Sequence, residues 1–289
     1  VSFSDRIKIF AQYATPKHAL SRIVGAFAAA KAGIFTQWFI RWFIKNYQID
    51  MSEAVAENPS DYKTFNAFFT RRLKPELRPI DGNDNHLAHP VDGAISQLGA
   101  IHQDRIFQAK GHDYSLQDLL GGNSKDAETF VDGQFATIYL APKDYHRIHM
   151  PCDGTLTKMV YVPGDLFSVN PLTARSVPNL FARNERVIAF FDGPAGPFSM
   201  VLVGATIVAS IGTVWSGTVT PPTGMRVQSW SYPSSGPEAV HLKKGDEMGH
   251  FKLGSTVVMT FAKDAIEFDP ALQAGSVTRM GQAMGTLSQ

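Results

Sequence analysis

From about Leu87 onward the chain is written in short apolar runs, each closed within a few residues by Gly, Pro or Asp. The clearest are 135–140, 155–162, 187–191, 200–210 and 256–261. Runs of that length, rich in β-branched and aromatic residues and bounded by turn formers, predict strands joined by tight connections. Helical signals in this stretch are few and short, the clearest being 115–120, and the Ser-Gly-Pro stretch at 233–237 reads as a loop. The pattern predicts one mainly antiparallel, β-rich domain, with helices concentrated at the N-terminal end.

Residues 19–47 read as two helices meeting near Gly33. In the second, Ile34, Phe35, Trp38, Phe39, Trp42 and Phe43 recur at helical spacing beside a narrow polar stripe of Gln37, Arg41 and Lys45. Aromatics next to a basic stripe suit a helix lying in a membrane interface; the alternative is a helix buried against the rest of the protein or a partner subunit. Residues 1–50 carry seven Lys or Arg against two Asp, a local balance of +5 in a chain of net charge +1. That overall charge gives no reason to expect nucleic acid as a partner. Pro59-Ser60-Asp61 looks like a helix start, with Phe65, Phe68 and Phe69 forming an apolar face for the core.

The fold class expected is therefore α+β: an N-terminal helical, membrane-associating region over 1–58, then a β-rich catalytic domain over 59–289. With 44% hydrophobic and 18% charged residues in 289, wholesale disorder is excluded. The single cysteine, Cys152, rules out an internal disulfide and fits a reducing compartment. No compact apolar core with a small-residue cleavage site marks a signal peptide. The longest apolar stretches are interrupted by Arg22, Lys31, Gln37, Arg41 and Lys45, so no transmembrane helix is expected.

The chemistry centres on Leu253-Gly254-Ser255. A serine hydroxyl held against the preceding carbonyl can attack it and turn the amide into an ester. β-Elimination of the ester's carboxylate leaves dehydroalanine, which hydrolyses to a pyruvoyl group and ammonia. Gly254, without a side chain, permits close attack and unusual backbone angles. Serine needs a base, and histidine titrates nearest neutrality; the base needs an acceptor that fixes its tautomer. Asp92, in His89-Pro90-Val91-Asp92-Gly93, and His149, in Asp144-Tyr145-His146-Arg147-Ile148-His149, can supply those two groups. A Gly-Ser turn, a solvated turn aspartate and, for His146, a histidine that hydrogen-bonds a neighbouring loop are the plainer readings of these residues. His86-x-x-His89 and His146-x-x-His149 have metal-binding spacing only on a helix, and these segments look strand- and turn-like, so no metal site is expected.

In these segments the chain resembles the phosphatidylserine decarboxylases of the bacterial, membrane-associated type. The resemblance runs through Thr64-Phe65-Asn66-Ala67-Phe68-Phe69-Thr70-Arg71, the Pro-x-Asp-Gly at 90–93, and Gln108-Ala109-Lys110-Gly111-His112. It continues through Tyr145-His146-Arg147-Ile148-His149-Met150-Pro151 and the stretches 162–170, 179–186 and 203–206, and ends in Phe251-Lys252-Leu253-Gly254-Ser255-Thr256. It implies pyruvoyl-dependent decarboxylation of phosphatidylserine to phosphatidylethanolamine, after self-cleavage between Gly254 and Ser255. The cofactor it implies is the pyruvoyl group made from Ser255, on a chain of 35 residues. Asp92 would then support His149, His149 would deprotonate Ser255, and His146 would be the proton donor for the decarboxylated carbon. The stretch 164–170 would line the lipid headgroup pocket. The resemblance further implies a homodimer of two-chain units, attached peripherally to an anionic membrane surface on the cytoplasmic side of a bacterial inner membrane. A serine hydrolase using Asp92, His149 and Ser255 without self-cleavage is the competing reading. It lacks a Gly-x-Ser-x-Gly nucleophile elbow.

Overall fold

The computed structural model describes residues 3–206, 210–220, 226–252 and 255–288. Gly254, one side of the expected cleavage bond, and Leu253 lie outside the described residues. The apolar runs become strands of a large antiparallel sheet. Its spatial order is β12 (Gln228–Ser231), β7 (Gly154–Val162), β8 (Arg186–Gly193), β9 (Gly196–Val203), β15 (Ser255–Phe261), β5 (Gln134–Leu140), β2 (Gly93–Ala100) and β17 (Val277–Thr278), with β13 (His241–Leu242) also paired to β7. The α+β expectation is met, with strands dominating after residue 86 and the long helices before residue 48.

Both faces of this sheet are covered, which is why its central strands are apolar without alternation. Every residue of β15 is buried. On one face, Val257, Met259 and Phe261 join a core completed by two small sheets. One is β11 (Gly217–Thr218), β10 (Ile211–Thr213), β14 (Glu247–Phe251) and β6 (Arg147–His149). The other is β1 (His86–Ala88), β18 (Ala283–Leu287) and β16 (Ile266–Phe268). On the opposite face, Val258, Val201 and Ile188 pack under the hairpin of β3 (Arg105–Ala109) and β4 (His112–Ser115) and four short helices.

The long helices precede all of this: α1 (Phe3–Ala14), α2 (Lys17–Ala29) and α3 (Ile34–Tyr47), followed by the five-residue α4 (Phe65–Phe69). The short helices over the sheet are α5 (Leu116–Leu119), α6 (Ser124–Glu128), α7 (Pro171–Ala174) and α8 (Leu180–Arg183). The break between α2 and α3 falls at Gly33, whose φ of 56° suits a residue without a side chain. Pro59-Ser60-Asp61 makes only a 3-10 turn; the helix itself starts later, where the Thr64 side chain accepts a hydrogen bond from the Ala67 amide. Phe65, Phe68 and Phe69 are buried against Ile40 and Phe43 of α3, so one aromatic core crosses residue 58.

Candidate active site at one end of the central sheet

Ser255 opens β15 and pairs with Leu140, the last residue of β5. Strand alternation puts its side chain on the face of Val257 and Met259, toward the layer that holds Ile148, Met248 and Phe251. It is fully buried, and its Oγ has no hydrogen-bond partner. An unpaired buried hydroxyl costs about 1–3 kcal/mol, so this is a poor serine for stability and an available one for chemistry.

Two interactions bracket the approach to Ser255. On one side the Phe251 amide donates to the His146 carbonyl at 3.0 Å. On the other, Ser255 is in register with Leu140. Residues 141–145 turn between these points, and the turn is closed by Asp144, whose Oδ2 accepts the Ala141 amide at 2.7 Å. Phe251 and Ser255 are thus each held against one end of the stretch 140–146.

His146 and His149 occupy opposite sides of that segment. Ile148 points into the core, so alternation places His146 on the same inward side and Arg147 and His149 on the other. His146 is fully buried, with its ring 4.1 Å from that of Phe69. Its Nδ1–H donates to the Asp144 carbonyl at 2.8 Å, and its Nε2 has no partner. Burial pushes its pKa down to about 3, only partly opposed by that hydrogen bond, so the ring is neutral with Nε2 as a bare acceptor. His149 has both nitrogens engaged: Nδ1–H donates to the Gly245 carbonyl at 2.8 Å, and Nε2 accepts from the Tyr145 hydroxyl at 3.0 Å. Burial lowers its pKa as well, opposed by the Gly245 bond.

Asp92 reaches the same end of the sheet from β2. Its turn is seated by Gly93, where a Cβ would lie 2.3 Å from the Tyr139 carbonyl oxygen. The His149 amide donates to the Pro90 carbonyl at 2.9 Å, so histidine and aspartate come from touching segments. β2, β5 and β15 are consecutive, which sets Asp92 about 10 Å from Ser255 at ~4.8 Å per strand. The contact expected between Asp92 and His149 is not made. Asp92 is instead clasped by Arg78, with Nε 3.0 Å from both carboxylate oxygens, and accepts the Met280 amide at 2.9 Å. The Gly245 carbonyl, not the carboxylate, fixes the His149 tautomer. Sequence spacing held no signal for Arg78 or Gly245; Tyr145 lay inside a noted motif without a role.

Of two cavities in this part of the molecule, only the first is walled by residues of the cluster, Asp92 and Tyr145. It measures about 230 Å³ and is lined by Glu53, Arg71, Arg78, Asp92 and Tyr145 among others. The second, about 340 Å³, lies under α2, with His18, Arg22, Asn66, Leu166, Glu185 and Lys252 in its wall. Burial raises the Glu185 pKa and lowers that of Lys252. Among the described residues no group of three or more His, Cys, Asp or Glu side chains is gathered for a metal ion.

Residues 65–286 match a family model described as Phosphatidylserine decarboxylase, and residues 7–48 match one described as PSD. A relative from Idiomarina loihiensis, named phosphatidylserine decarboxylase proenzyme, is 73% identical over 286 residues, spanning 99% of this chain and 98% of its own. Proteins of the same name from Shewanella frigidimarina and Shewanella amazonensis are each 67% identical, spanning 99% and 98% of this chain and 99% of their own.

Proposed function

The chain belongs to the phosphatidylserine decarboxylase family, and from that we propose that it decarboxylates phosphatidylserine to phosphatidylethanolamine after cutting itself before Ser255. The observation that carries the reading is the buried, unpartnered Ser255 hydroxyl at the mouth of β15, beside a segment that carries the buried His146 and the half-buried His149. The name proenzyme, borne by the relatives, agrees with a chain that must be converted before it works.

In the first reaction the Ser255 Oγ attacks the Gly254 carbonyl carbon while its proton passes to a base. The C–N bond breaks and an ester forms, with a free amine on residue 255. Removal of the α-proton then expels the Gly254 carboxylate, and the dehydroalanine left takes up water and releases ammonia. His149 is the base of this stage. It is held neutral, and its Nε2 must be released by Tyr145, or reached through the Tyr145 hydroxyl, which can hand its own proton on as it receives another. Asp92 acts on His149 through the field across the Pro90–His149 contact.

A pyruvoyl group at position 255 fits the place: enclosed, at a strand end, with no competing partner on the atom it replaces. Its carbonyl supplies an electron sink for loss of carbon dioxide. His146, buried in the neighbouring segment with a bare Nε2, takes up and returns the proton that the product's α-carbon requires, a contribution of about 10²–10⁴-fold. The cavity under α2 receives the headgroup, with Arg22 and Lys252 as cationic groups for a phosphate. The lipid arrives from a membrane on which α1, α2 and α3 rest, at the cytoplasmic face of a bacterial inner membrane. Among the described residues no single helix is long and apolar enough to cross a membrane; α2 and α3 pass the test only as a pair bent by 111°. Replacing His146 with Ala tests the division of labour. Chain cleavage should continue while carbon dioxide release from phosphatidylserine falls at least about 10²-fold; arrested cleavage would transfer His146 to the first reaction.

A further inference from the structure

The buried carboxylate nearest the candidate base is gripped by an arginine, and that arginine is shared. Arg78 lies 7% exposed beside Asp92 at 9%, and its Nη2 also donates to Glu53 Oε2 at 2.8 Å. Glu53 belongs to the 3-10 turn Met51–Glu53, a few residues after the end of α3, and is further held by Arg279 at 3.3 Å. Burial alone would lower the Arg78 pKa, but its hydrogen bonds with Asp92 and Glu53 carry it above the ordinary arginine value. A continuous charged chain therefore runs from the foot of α3 through Glu53 and Arg78 to Asp92, whose turn touches His149 through Pro90.

We infer that Arg78 is the positioning residue for Asp92 in self-cleavage, and that Glu53 ties this grip to the helical layer. The inference rests on the self-cleavage reading. A guanidinium bound side-on by a carboxylate fixes both its position and its rotation, which a point charge does not. Without Arg78, a buried carboxylate is left with one amide donor and drifts or protonates. The turn at 90–92, and with it His149, then loses its fixed placement, and a displacement of about 1 Å at a reacting centre can cost 10²-fold.

The test follows chain cleavage over time in newly synthesised full chain. Arg78→Ala should cleave about 10–100-fold more slowly than wild type, Arg78→Lys should recover part of the rate, and low-millimolar guanidinium should restore cleavage to Arg78→Ala. The cavity of about 230 Å³ beside Asp92 and Arg78 gives the added cation a path and a seat. A merely structural arginine would not be replaced by a free ion. Folded Arg78→Ala that cleaves at the wild-type rate, or slowly with no response to guanidinium or Lys, overturns the assignment. Glu53→Gln, at a half-buried position less exposed to misfolding, should slow cleavage severalfold. A wild-type rate there overturns the link to α3 even if Arg78→Ala fails to fold. If wild type itself stays whole, self-cleavage fails instead.

Discussion

At Ser255 function and stability pull apart. Its hydroxyl is buried without a partner, so Ser255→Ala removes an unsatisfied group. The expected product is a folded, uncut and inactive chain with a melting temperature no lower than that of uncut wild type; a clearly lower one would contradict the buried, unpaired hydroxyl. The histidines set a pH dependence. Burial pushes His146 down to about 3 and His89 down to about 4, from 6.5. The unfolded chain then binds more protons than the folded one between those values, so their stabilisation is complete above about 6.5 and is lost as pH falls toward 3–4. Thermal melting between pH 8 and 5 should show a falling midpoint below about 6.5; a flat profile would mean these rings are protonated in the fold.

Among the elements, α3 is unusual in having two apolar faces. Ile40 and Phe43 are buried against α4, while Ile34, Phe35, Trp38 and Trp42 are exposed, the last two at 66% and 46%. Ile23 and Phe27 of α2 and Phe3, Ile7 and Phe10 of α1 are exposed as well. An exposed apolar surface of this kind beside Arg41 and Lys45 needs a covering phase, and the proposed one is an anionic bilayer. Trp38→Glu with Trp42→Glu should abolish sedimentation with phosphatidylglycerol vesicles at unchanged thermal stability; undiminished binding would refute this contact. Phe68→Ala, on the buried side, should instead cost about 3–5 kcal/mol. The break at Gly33 and the inward Phe65, Phe68 and Phe69 were legible because periodicity reports them directly. α1 was not: it buries no residue of its own. It grips the body through side chains, with Gln12 accepting the Ser168 amide at 2.9 Å and Tyr13 packed on Phe167. Those contacts seat the stretch expected to line the headgroup pocket.

For the whole molecule, three layers bring residues 92, 146, 149 and 255 to one end of a single sheet. Residue types suggested Asp92, His149 and Ser255 only as one reading among plainer ones; the resemblance to a known family is what singled out all four. What they do to one another depends on register and on which way each strand faces. The grip of Arg78 on Asp92, the inward side taken by His146 and the Gly245 carbonyl on His149 are products of packing that no local pattern encodes. The account stands on one event, scission before residue 255. Intact-mass measurement of purified, active wild type tests it most directly. It should find two chains, residues 1–254 and a 35-residue partner beginning with a pyruvoyl group, while Ser255→Ala gives one. A single unmodified wild-type chain that still turns over phosphatidylserine would contradict it.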